Sequence, residues 1–379
     1  MIVTYVFADN FQEFNCSNWN AVIPCRAINR TGIHESYLIT IQDFTENNPA
    51  TQKLIDRSDI IFVERNLFGD TLTMMQYWKV RGKTIATLFD DSYDNILPEN
   101  KSYSFWSKGE LRQRNSQSGE EQVGHMFPLP ITQLKWGCQF VKAGSFPSKM
   151  LCEDWGRYTK AFHIHNHLEP ERYKNINPLF PHPKKEIWIG WCGSLSHLHS
   201  FTESGIVPAM ERISKDFKNV KILVGGDKRI YDAINVDETR KIYTNFVPVQ
   251  DFAKLLKSFD IPFAPLSSDY DMRRSWVKVL EYMALQIPWI ATDCITYEEL
   301  KPYGKTVANS EDNWYNAIVA MIENLPKARE YAREDPYQFA MSQSVDNQLD
   351  GRLKVYQEII DMEYPERRVY DEPVHTAIS

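Results

Sequence analysis

The sequence predicts an α/β protein of two doubly wound domains that face each other across a cleft. Short apolar runs alternate with longer amphipathic stretches, a pattern typical of parallel sheets covered by helices on both faces. The alternation stops at a proline-rich stretch, PLFPHP at residues 178–183, and starts again directly after it. The 379 residues are enough for two ordinary domains, each with a core of its own.

Composition excludes several classes of protein. Hydrophobic residues make up 43% of the chain, and no run approaches the roughly 18 apolar residues that a membrane-spanning helix needs. The net charge of −7 argues against a basic nucleic-acid-binding domain. Six scattered cysteines favour reduced thiols in a cytoplasmic protein. The N-terminal residues are expected to form a buried strand rather than a signal peptide.

The first half of the chain is predicted to form one domain over residues 1–177. Its predicted elements are, in order, a strand at 2–8, a helix at 19–30, strands at 36–41 and 60–64, a helix at 72–80, a strand at 84–89, and further elements at 131–144, 149–158 and 161–165. Residues 92–128 interrupt this pattern, because they are polar and poor in aliphatic side chains. They predict a long loop with a little helix, which is uncommon in a compact domain unless it has a function.

The second half is predicted to form another domain over residues 186–345. Residues 178–185 are expected to be the linker, because proline continues neither regular element. The predicted strands are 186–191, 220–224 and 261–266, and the predicted helices are 206–216, 252–259, 313–324 and 345–360. The last segment, 346–379, is expected to form a helix that packs back towards the first domain.

Residues 275–300 are the most informative stretch. A helix at 276–285 leads through a short turn into an apolar strand at 289–291, which makes half of a βαβ unit. Such units bind ligands beyond the carboxyl ends of their strands. Glu281 on the helix offers only acceptors and can accept hydrogen bonds from two neighbouring ribose hydroxyls, while a helix start offers N–H groups to phosphate. The alternative is a solvated glutamate on an ordinary amphipathic helix.

Four segments together resemble the nucleotide-sugar-binding domain of the two-domain GT-B glycosyltransferases, especially glycosyltransferase family 4 and the related group 1 enzymes. In chain order these segments are IWIGWCGSLSHLHSF, KILVGGDK, FVPVQDFAKLLKSFDIPFAPL and SWVKVLEYMALQIPWIATD. In the first half the resemblance covers fewer residues, with Ser148 and Asn166 at recurring polar positions. The resemblance implies the GT-B architecture.

The resemblance also implies an activity, the transfer of a sugar from a nucleotide-diphosphate sugar such as a UDP-sugar to a hydroxyl acceptor, with retention of configuration. The implied donor-binding residues are Gly193, Ser194, His197, Asp227, Lys228, Arg274, Ser275 and Glu281. Neither a cofactor nor a metal ion is expected, because GT-B enzymes generally need none. The nucleotide sugar then acts as a co-substrate.

One position departs from the family pattern. Family 4 enzymes usually carry a glutamate eight positions before the one at Glu281, and this chain has Arg273 there. With Arg274 and Lys278 it predicts a phosphate-binding cluster, since arginine offers a planar fork of donors. Arg273 and Lys278 are therefore expected to act in catalysis by stabilising the departing diphosphate. The missing glutamate leaves open an inactive nucleotide-sugar-binding protein of the same fold.

Two aspartates follow the strand at 84–89, where a doubly wound fold places reactive groups. Asp90 or Asp91 is a candidate general base, or holds acceptor hydroxyls. Helix capping or a solvated turn is the alternative. A metal site at this pair is not expected, because consecutive side chains diverge. His163, His165 and His167 share one face of an extended strand, but acidic or cysteine partners for zinc are missing at conventional spacing.

The segment 92–128 is expected to bind the acceptor. Its candidate contacts are Tyr103, Trp106, Arg112 and Arg114. The acceptor is expected to be a glycan, a small molecule or a hydroxylated DNA base, since some viral enzymes of this fold modify DNA. Aromatic and basic side chains suit a nucleic-acid strand, whereas the negative net charge argues against one.

Overall fold

A computed structural model describes residues 1–9, 15–100, 102–114 and 121–365, apart from the side chains of residues 113, 114 and 195. The strands are β1 (Ile2–Phe7), β2 (Glu35–Thr40), β3 (Ile60–Glu64), β4 (Ile85–Leu88), β5 (Glu110–Arg114), β6 (Glu121–His125), β7 (Ala143–Phe146), β8 (Lys160–His163), β9 (Ile187–Gly193), β10 (Val220–Gly226), β11 (Lys241–Thr244), β12 (Ile261–Ala264), β13 (Ile290–Thr292) and β14 (Lys305–Val307).

The helices alternate with these strands. They are α1 (Ile23–Arg30), α2 (Ile41–Glu46), α3 (Pro49–Arg57), α4 (Asp70–Val80), α5 (Tyr103–Lys108), α6 (Pro130–Phe140), α7 (Lys149–Trp155), α8 (Leu198–Glu203), α9 (Ile206–Asp216), α10 (Lys228–Asp232), α11 (Val249–Leu256), α12 (Asp269–Met272), α13 (Val277–Ala284), α14 (Glu311–Glu323), α15 (Leu325–Tyr331), α16 (Asp335–Ser342) and α17 (Leu349–Asp361). One π-helical turn, Asn18–Val22, precedes α1, and short 3-10 turns occur elsewhere.

Two six-stranded sheets form the two domains. The first has the strand order β2-β1-β3-β4-β7-β8 and the second β11-β10-β9-β12-β13-β14. All pairings within both sheets are parallel. This confirms the predicted α/β class with two doubly wound domains. Strand β3 shows why the strands could be predicted from the sequence. Helices cover both faces of the sheet, so all five residues of IIFVE are buried.

The segment 92–128 differs from the predicted loop. It contains helix α5 and an antiparallel hairpin, in which β5 pairs with β6 from Glu110 opposite His125 to Arg114 opposite Glu121. All five residues of β6 are exposed. Neither face of this strand is buried, so the hairpin lacks the apolar alternation by which strands are recognised.

Helix α17 packs against the first domain. The hydroxyls of Tyr356 and Tyr5 are 2.8 Å apart, and the Tyr356 ring lies 4.5 Å from that of Phe62. Beyond the helix, the Tyr364 hydroxyl donates to the carbonyl of Lys83 at 2.6 Å. The chain therefore crosses between the domains twice. These crossings lie side by side, since the N–H of Val345 donates to the carbonyl of Leu168 at 2.7 Å.

No helix in the described part of the chain has the length and apolarity needed to cross a membrane. All six cysteines are described, and each is a free thiol.

Candidate active site

The carboxyl ends of both sheets meet at a cavity of about 1230 Å³ between the domains. Asp9 follows β1, Arg65 follows β3 and Asp91 follows β4, and all three line it from the first domain. Gly193 and Gly226, the last residues of β9 and β10, line it from the second. Doubly wound folds bind ligands beyond the strand ends, where the strand order reverses. The strand order reverses between β1 and β3 in the first sheet and between β9 and β12 in the second. These two points face each other across the cavity.

Two glycine turns shape the second-domain half of the cavity. Gly193 and Ser194 both line it. Gly226 has a φ of +104°, and a Cβ atom there would collide with the carbonyl oxygen of Gly193. Only glycine allows this backbone conformation and this close approach. The turn at 193–194 therefore presents its backbone to the cavity. Backbone N–H groups in such a turn can bind an anion.

Positive charge lies directly behind this turn. The Lys278 ammonium donates to the carbonyl of Cys192 at 2.5 Å and would be 3.2 Å from a Cβ atom on Gly193. Burial lowers the pKa of Lys278. Arg274 donates to the carbonyl of Ser196 at 3.0 Å and to Asp271 at 2.8 Å. Neither Lys278 nor Arg274 lines the cavity, so their charges reach it through the backbone of 192–196.

His197 supports Arg274 rather than facing the cavity. Its Nε2 lies 3.2 Å from an Arg274 Nη1, which can only donate, so Nε2 accepts. Burial holds the pKa of His197 well below its usual value, and the charges of Arg274 and Lys278 lower it further. The imidazole is therefore neutral and positions the guanidinium.

Glu281 lies on α13 at a smaller adjoining cavity of about 400 Å³. It is 4% exposed, and it accepts a hydrogen bond of 2.9 Å from the Tyr173 hydroxyl. Burial raises the pKa of Glu281 to about 8. Phe252 lines both cavities, so the carboxylate stands beside the main cavity rather than in its wall.

Arg273 is held by the first domain, contrary to the expectation of a phosphate ligand. Its guanidinium pairs with Asp154 on α7 and donates to the carbonyl of Asp269 at 2.8 Å. Its own carbonyl accepts a 2.8 Å hydrogen bond from the Ser148 hydroxyl. Arg273 therefore joins the two domains through Asp154 and Ser148, and it does not line the cavity.

Three further predicted donor residues do not line the cavity. Asp227 caps α10 and pairs with Arg229 at 3.0 Å. Lys228 pairs with Asp232 on the exposed side of the same helix. The Ser275 hydroxyl is buried and has no hydrogen-bond partner among the described residues. Of the predicted donor-binding side chains and turns, only Gly193 and Ser194 reach the main cavity directly.

Asp90 and Asp91 occupy different environments. Asp91 lines the cavity and accepts a hydrogen bond of 2.8 Å from Tyr270 of the second domain. Asp90 is buried, and one of its oxygens, Oδ1, has no partner within the described chain. Burial raises the pKa of Asp90 to about 7, and the charges of Asp91 and Glu64 add to this effect. Asp91 is thus the carboxylate that a substrate can reach.

Sequence reasoning missed Arg65 and Asp9. Arg65 has a φ of +32°, a conformation that non-glycine residues rarely adopt, and its Nη1 donates to Asp9 Oδ2 at 3.0 Å. Within the described lining, Arg65 is the sole cationic side chain. The signal was available, since each residue follows a predicted strand at a carboxyl end.

An aromatic wall, which we define as Phe68, Tyr93, Phe105 and Trp106, closes the first-domain side of the cavity. The rings of Tyr93 and Trp106 lie 4.3 Å apart. Of the predicted acceptor contacts, only Trp106 belongs to this wall.

The other predicted acceptor contacts lie elsewhere. Tyr103 packs on the core of the first domain. Arg112 is exposed and pairs with Glu110 at 3.2 Å and with Glu121 at 3.9 Å. The side chain of Arg114 and all of Lys101 lie outside the described residues.

Potential metal ligands come together at one place in the described structure. Cys16, Asp90 and Asp91 each offer a ligand atom within 4.8 Å of the others. The histidines that share a strand face, His163, His165 and His167, instead lie at the contact between the domains. The His165 ring stacks on Trp276 at 3.7 Å, and His163 Nε2 lies 3.3 Å from the carbonyl of Pro147.

Part of the second domain matches a known protein family in sequence. Residues 187–324 match the family described as glycosyl transferases group 1. A sequence comparison with curated proteins gives no match.

Solved structures match nearly the whole chain in fold. HepE of Anabaena, solved with UDP and glucose, has a TM-score of 0.61 at 13% identity and covers 94% of this chain and 100% of its own. Sucrose-phosphate synthase of Thermosynechococcus elongatus has a TM-score of 0.59 at 10% identity, covering 94% of this chain and 98% of its own. A Listeria monocytogenes protein provisionally assigned as a UDP-N-acetylglucosamine 2-epimerase has a TM-score of 0.54 at 12% identity, covering 98% and 99%.

At these identities the structures show the fold alone, and the sequence match covers residues 187–324 only. The resemblance read from the sequence is confirmed to this extent: the chain has the GT-B fold, and its residues 187–324 match the group 1 glycosyl transferases.

Proposed function

We propose that this protein transfers a sugar from a nucleotide-diphosphate sugar to a hydroxyl acceptor, with retention of configuration. The observation that carries the proposal is the placement of the family segment. Its glycine turn, at Gly193 and Ser194, faces Asp91 of the first domain across one cavity. Solved proteins of this fold include HepE with UDP-glucose bound, which supports a UDP-sugar as the donor.

In this proposal the second domain binds the donor. Backbone N–H groups at Gly193 and Ser194 bind the diphosphate, and the charges of Lys278 and Arg274 behind them stabilise it. Glu281 binds the ribose. Burial favours the protonated form of Glu281, which has one O–H donor and several acceptor positions, so Glu281 can keep its bond to Tyr173 and still hydrogen-bond the ribose hydroxyls.

The first domain then presents the acceptor. The acceptor oxygen forms a bond to the anomeric carbon while the bond from that carbon to the phosphate oxygen breaks, and its electron pair leaves with the diphosphate. In a retaining transfer the departing phosphate lies on the same face and takes the hydroxyl proton. Asp91 accepts a hydrogen bond from the acceptor and orients it for this step. The anomeric configuration of the product tests retention.

We also propose that transfer needs no metal ion. The cations Lys278 and Arg274, together with backbone N–H groups, supply the positive charge that a metal would otherwise bring to the diphosphate. Loss of activity in EDTA that added Mn²⁺ restores would contradict this, and Cys16, Asp90 and Asp91 would then be the ligands to examine.

A second candidate is an inactive nucleotide-sugar-binding protein. Arg273 favours it, because the family's usual glutamate is absent and the arginine pairs with Asp154 instead. Incubation with a panel of nucleotide-diphosphate sugars separates the two. Release of nucleoside diphosphate, followed by mass spectrometry, indicates transfer or slow donor hydrolysis, whereas binding without release indicates the inactive protein. An isomerised donor sugar would show a different reaction in the same fold.

A further inference from the structure

We infer that the acceptor is a neutral, hydroxyl-rich ring compound, a saccharide or polyol, and not an anion. This inference rests on the proposed function, because it assigns the first-domain half of the cavity to the acceptor. Charge, shape and hydrogen-bonding groups in that half each support it.

The charge of this half is negative. Among the described residues, Asp9 and Asp91 line it against a single guanidinium, that of Arg65. Arg65 is already paired with Asp9 through both of its terminal nitrogens. Asp90 adds a further carboxyl directly behind Asp91. An acceptor with a carboxylate or phosphate would bring like charge into a cleft where water screens it weakly.

The walls suit a ring with apolar faces and a polar edge. The aromatic wall offers flat apolar surfaces, and Phe68 and Phe105 are its more accessible rings, since Trp106 and Tyr93 are buried. Asn66, Asn100 and Ser102 line the same half with neutral donors and acceptors. Amide and hydroxyl groups satisfy the hydroxyls of a sugar without requiring charge on the ligand.

A nucleic-acid acceptor would also stack on aromatic rings, so the charges decide between the two. Affinity for a nucleic acid rests largely on cations that neutralise its phosphates. On the neighbouring hairpin, Arg112 pairs with both Glu110 and Glu121. In the described part of this rim Lys108 is left as an exposed cation, and one lysine neutralises few of the phosphates of a strand.

The test is calorimetric binding in the absence of donor. The probes are methyl glycosides of glucose, galactose and mannose, the three matching uronates, and a single-stranded oligonucleotide that contains 5-hydroxymethylcytosine. At least one neutral glycoside should bind. Its uronate should bind at least about 10-fold more weakly, because repulsion between one like pair of partly screened charges lowers the affinity by about that factor. Tighter binding of a uronate or of the oligonucleotide, or no binding of any neutral glycoside, would overturn the inference.

Two variants show whether the lining charges cause the preference. Asp9→Asn keeps the shape but removes the carboxylate paired with Arg65, which then has only Glu64 at 4.0 Å, so the ratio of neutral to uronate affinity should fall at least threefold. Asp56→Asn is the matched control, because Asp56 is exposed near the end of α3, by the amino end of β3 and thus at the opposite edge of the same sheet. It should leave the ratio unchanged. If Asp9→Asn does not fold by circular dichroism, Asp91→Asn takes its place. An unchanged ratio in a folded lining variant would contradict the inference.

Donor chemistry is measured separately, as release of nucleoside diphosphate from nucleotide-diphosphate sugars. If neutral glycosides bind selectively but no donor binds or reacts, the proposed function fails while the ligand class stands. If donors react but anionic acceptors bind best, only the acceptor inference fails.

Discussion

Tyr270 of the second domain donates a hydrogen bond of 2.8 Å to Asp91 of the first. Tyr270 lies in a helical turn that begins with a capping box of Ser268 and Asp271, and the Arg274 guanidinium lies 4.8 Å from the centre of its ring. The second domain thus fixes the carboxylate that is proposed to face the acceptor. Tyr173 and Glu281 make a similar bond in the opposite direction. Asp91 and Glu281 are therefore each held by a tyrosine from the other part of the molecule.

Loss of the Tyr270 hydroxyl should slow turnover without weakening donor binding. Tyr270→Phe keeps the ring but removes a hydrogen bond to a charged group, which contributes about 1.5–3 kcal/mol. We expect turnover to fall roughly 10-fold or more, while the dissociation constant for the donor nucleotide stays within twofold. Tyr315→Phe is the control, because Tyr315 makes the same kind of bond, to Asp216 at 2.7 Å, on the exposed surface. Equal turnover in both variants would mean that Tyr270 has no positioning role.

Removing the ammonium behind the glycine turn should lower turnover more than it lowers donor affinity. Lys278→Met keeps the length of the side chain but removes the charge that stabilises the departing diphosphate. Single donors to developing negative charge typically contribute 100- to 1000-fold in turnover. Lys228→Met, which changes an exposed lysine paired with Asp232, should leave steady-state rates unchanged. Normal turnover in Lys278→Met would remove this lysine from the proposed mechanism.

Protein stability should fall as pH rises because of Glu281. The pKa of Glu281 is about 8 in the folded protein, whereas the ordinary value for a glutamate is 4.5. The folded state therefore binds the proton more tightly than the unfolded state does. Stability from the protonated carboxyl is full below pH 4.5 and is lost as pH rises towards 8. We expect wild type to lose stability relative to Glu281→Gln by up to about 1.4 kcal/mol per pH unit. Urea unfolding from pH 5 to 8 measures this, and parallel curves would contradict it.

The segment 92–128 should govern the acceptor and not the donor. The N–H of Met126 donates to the carbonyl of Gly109 at 2.8 Å, so the hairpin 110–125 can be replaced by two glycines without moving its ends. We expect weaker acceptor binding in this variant and in Trp106→Ala, because both change the acceptor side, while donor hydrolysis keeps its rate. Arg112→Ala should change neither quantity for a neutral acceptor. Loss of donor binding on removal of the hairpin would mean that the roles of the domains are wrongly assigned.

The sequence was most informative where burial imposes a pattern. Buried parallel strands such as β3 are mostly apolar, so most strands of both sheets could be predicted, whereas the edge strands β11 and β14 and the exposed hairpin could not. Gly193 and Ser194 could be placed at the cavity because they follow a strand directly. Arg273 could not be placed, since its position depends on Asp154, which is 119 residues away in the chain. Tyr270 was missed because its partner Asp91 is likewise distant in sequence, whereas Arg65 and Asp9 could have been found from their positions directly after predicted strands.

Donor binding through Glu281 is tested most directly by calorimetric titration with UDP and the other nucleoside diphosphates. The titration is performed on wild type and on Glu281→Ala. Glu281 is proposed to bind the ribose. The titration is run at pH 9, above the pKa of about 8, where the carboxylate is charged and a hydrogen bond to it contributes about 1.5–3 kcal/mol. The variant should therefore bind at least one of these nucleotides roughly 10- to 150-fold more weakly than wild type, with an unchanged circular dichroism spectrum. Binding within twofold of wild type, or no binding of any nucleoside diphosphate to wild type, would contradict the account.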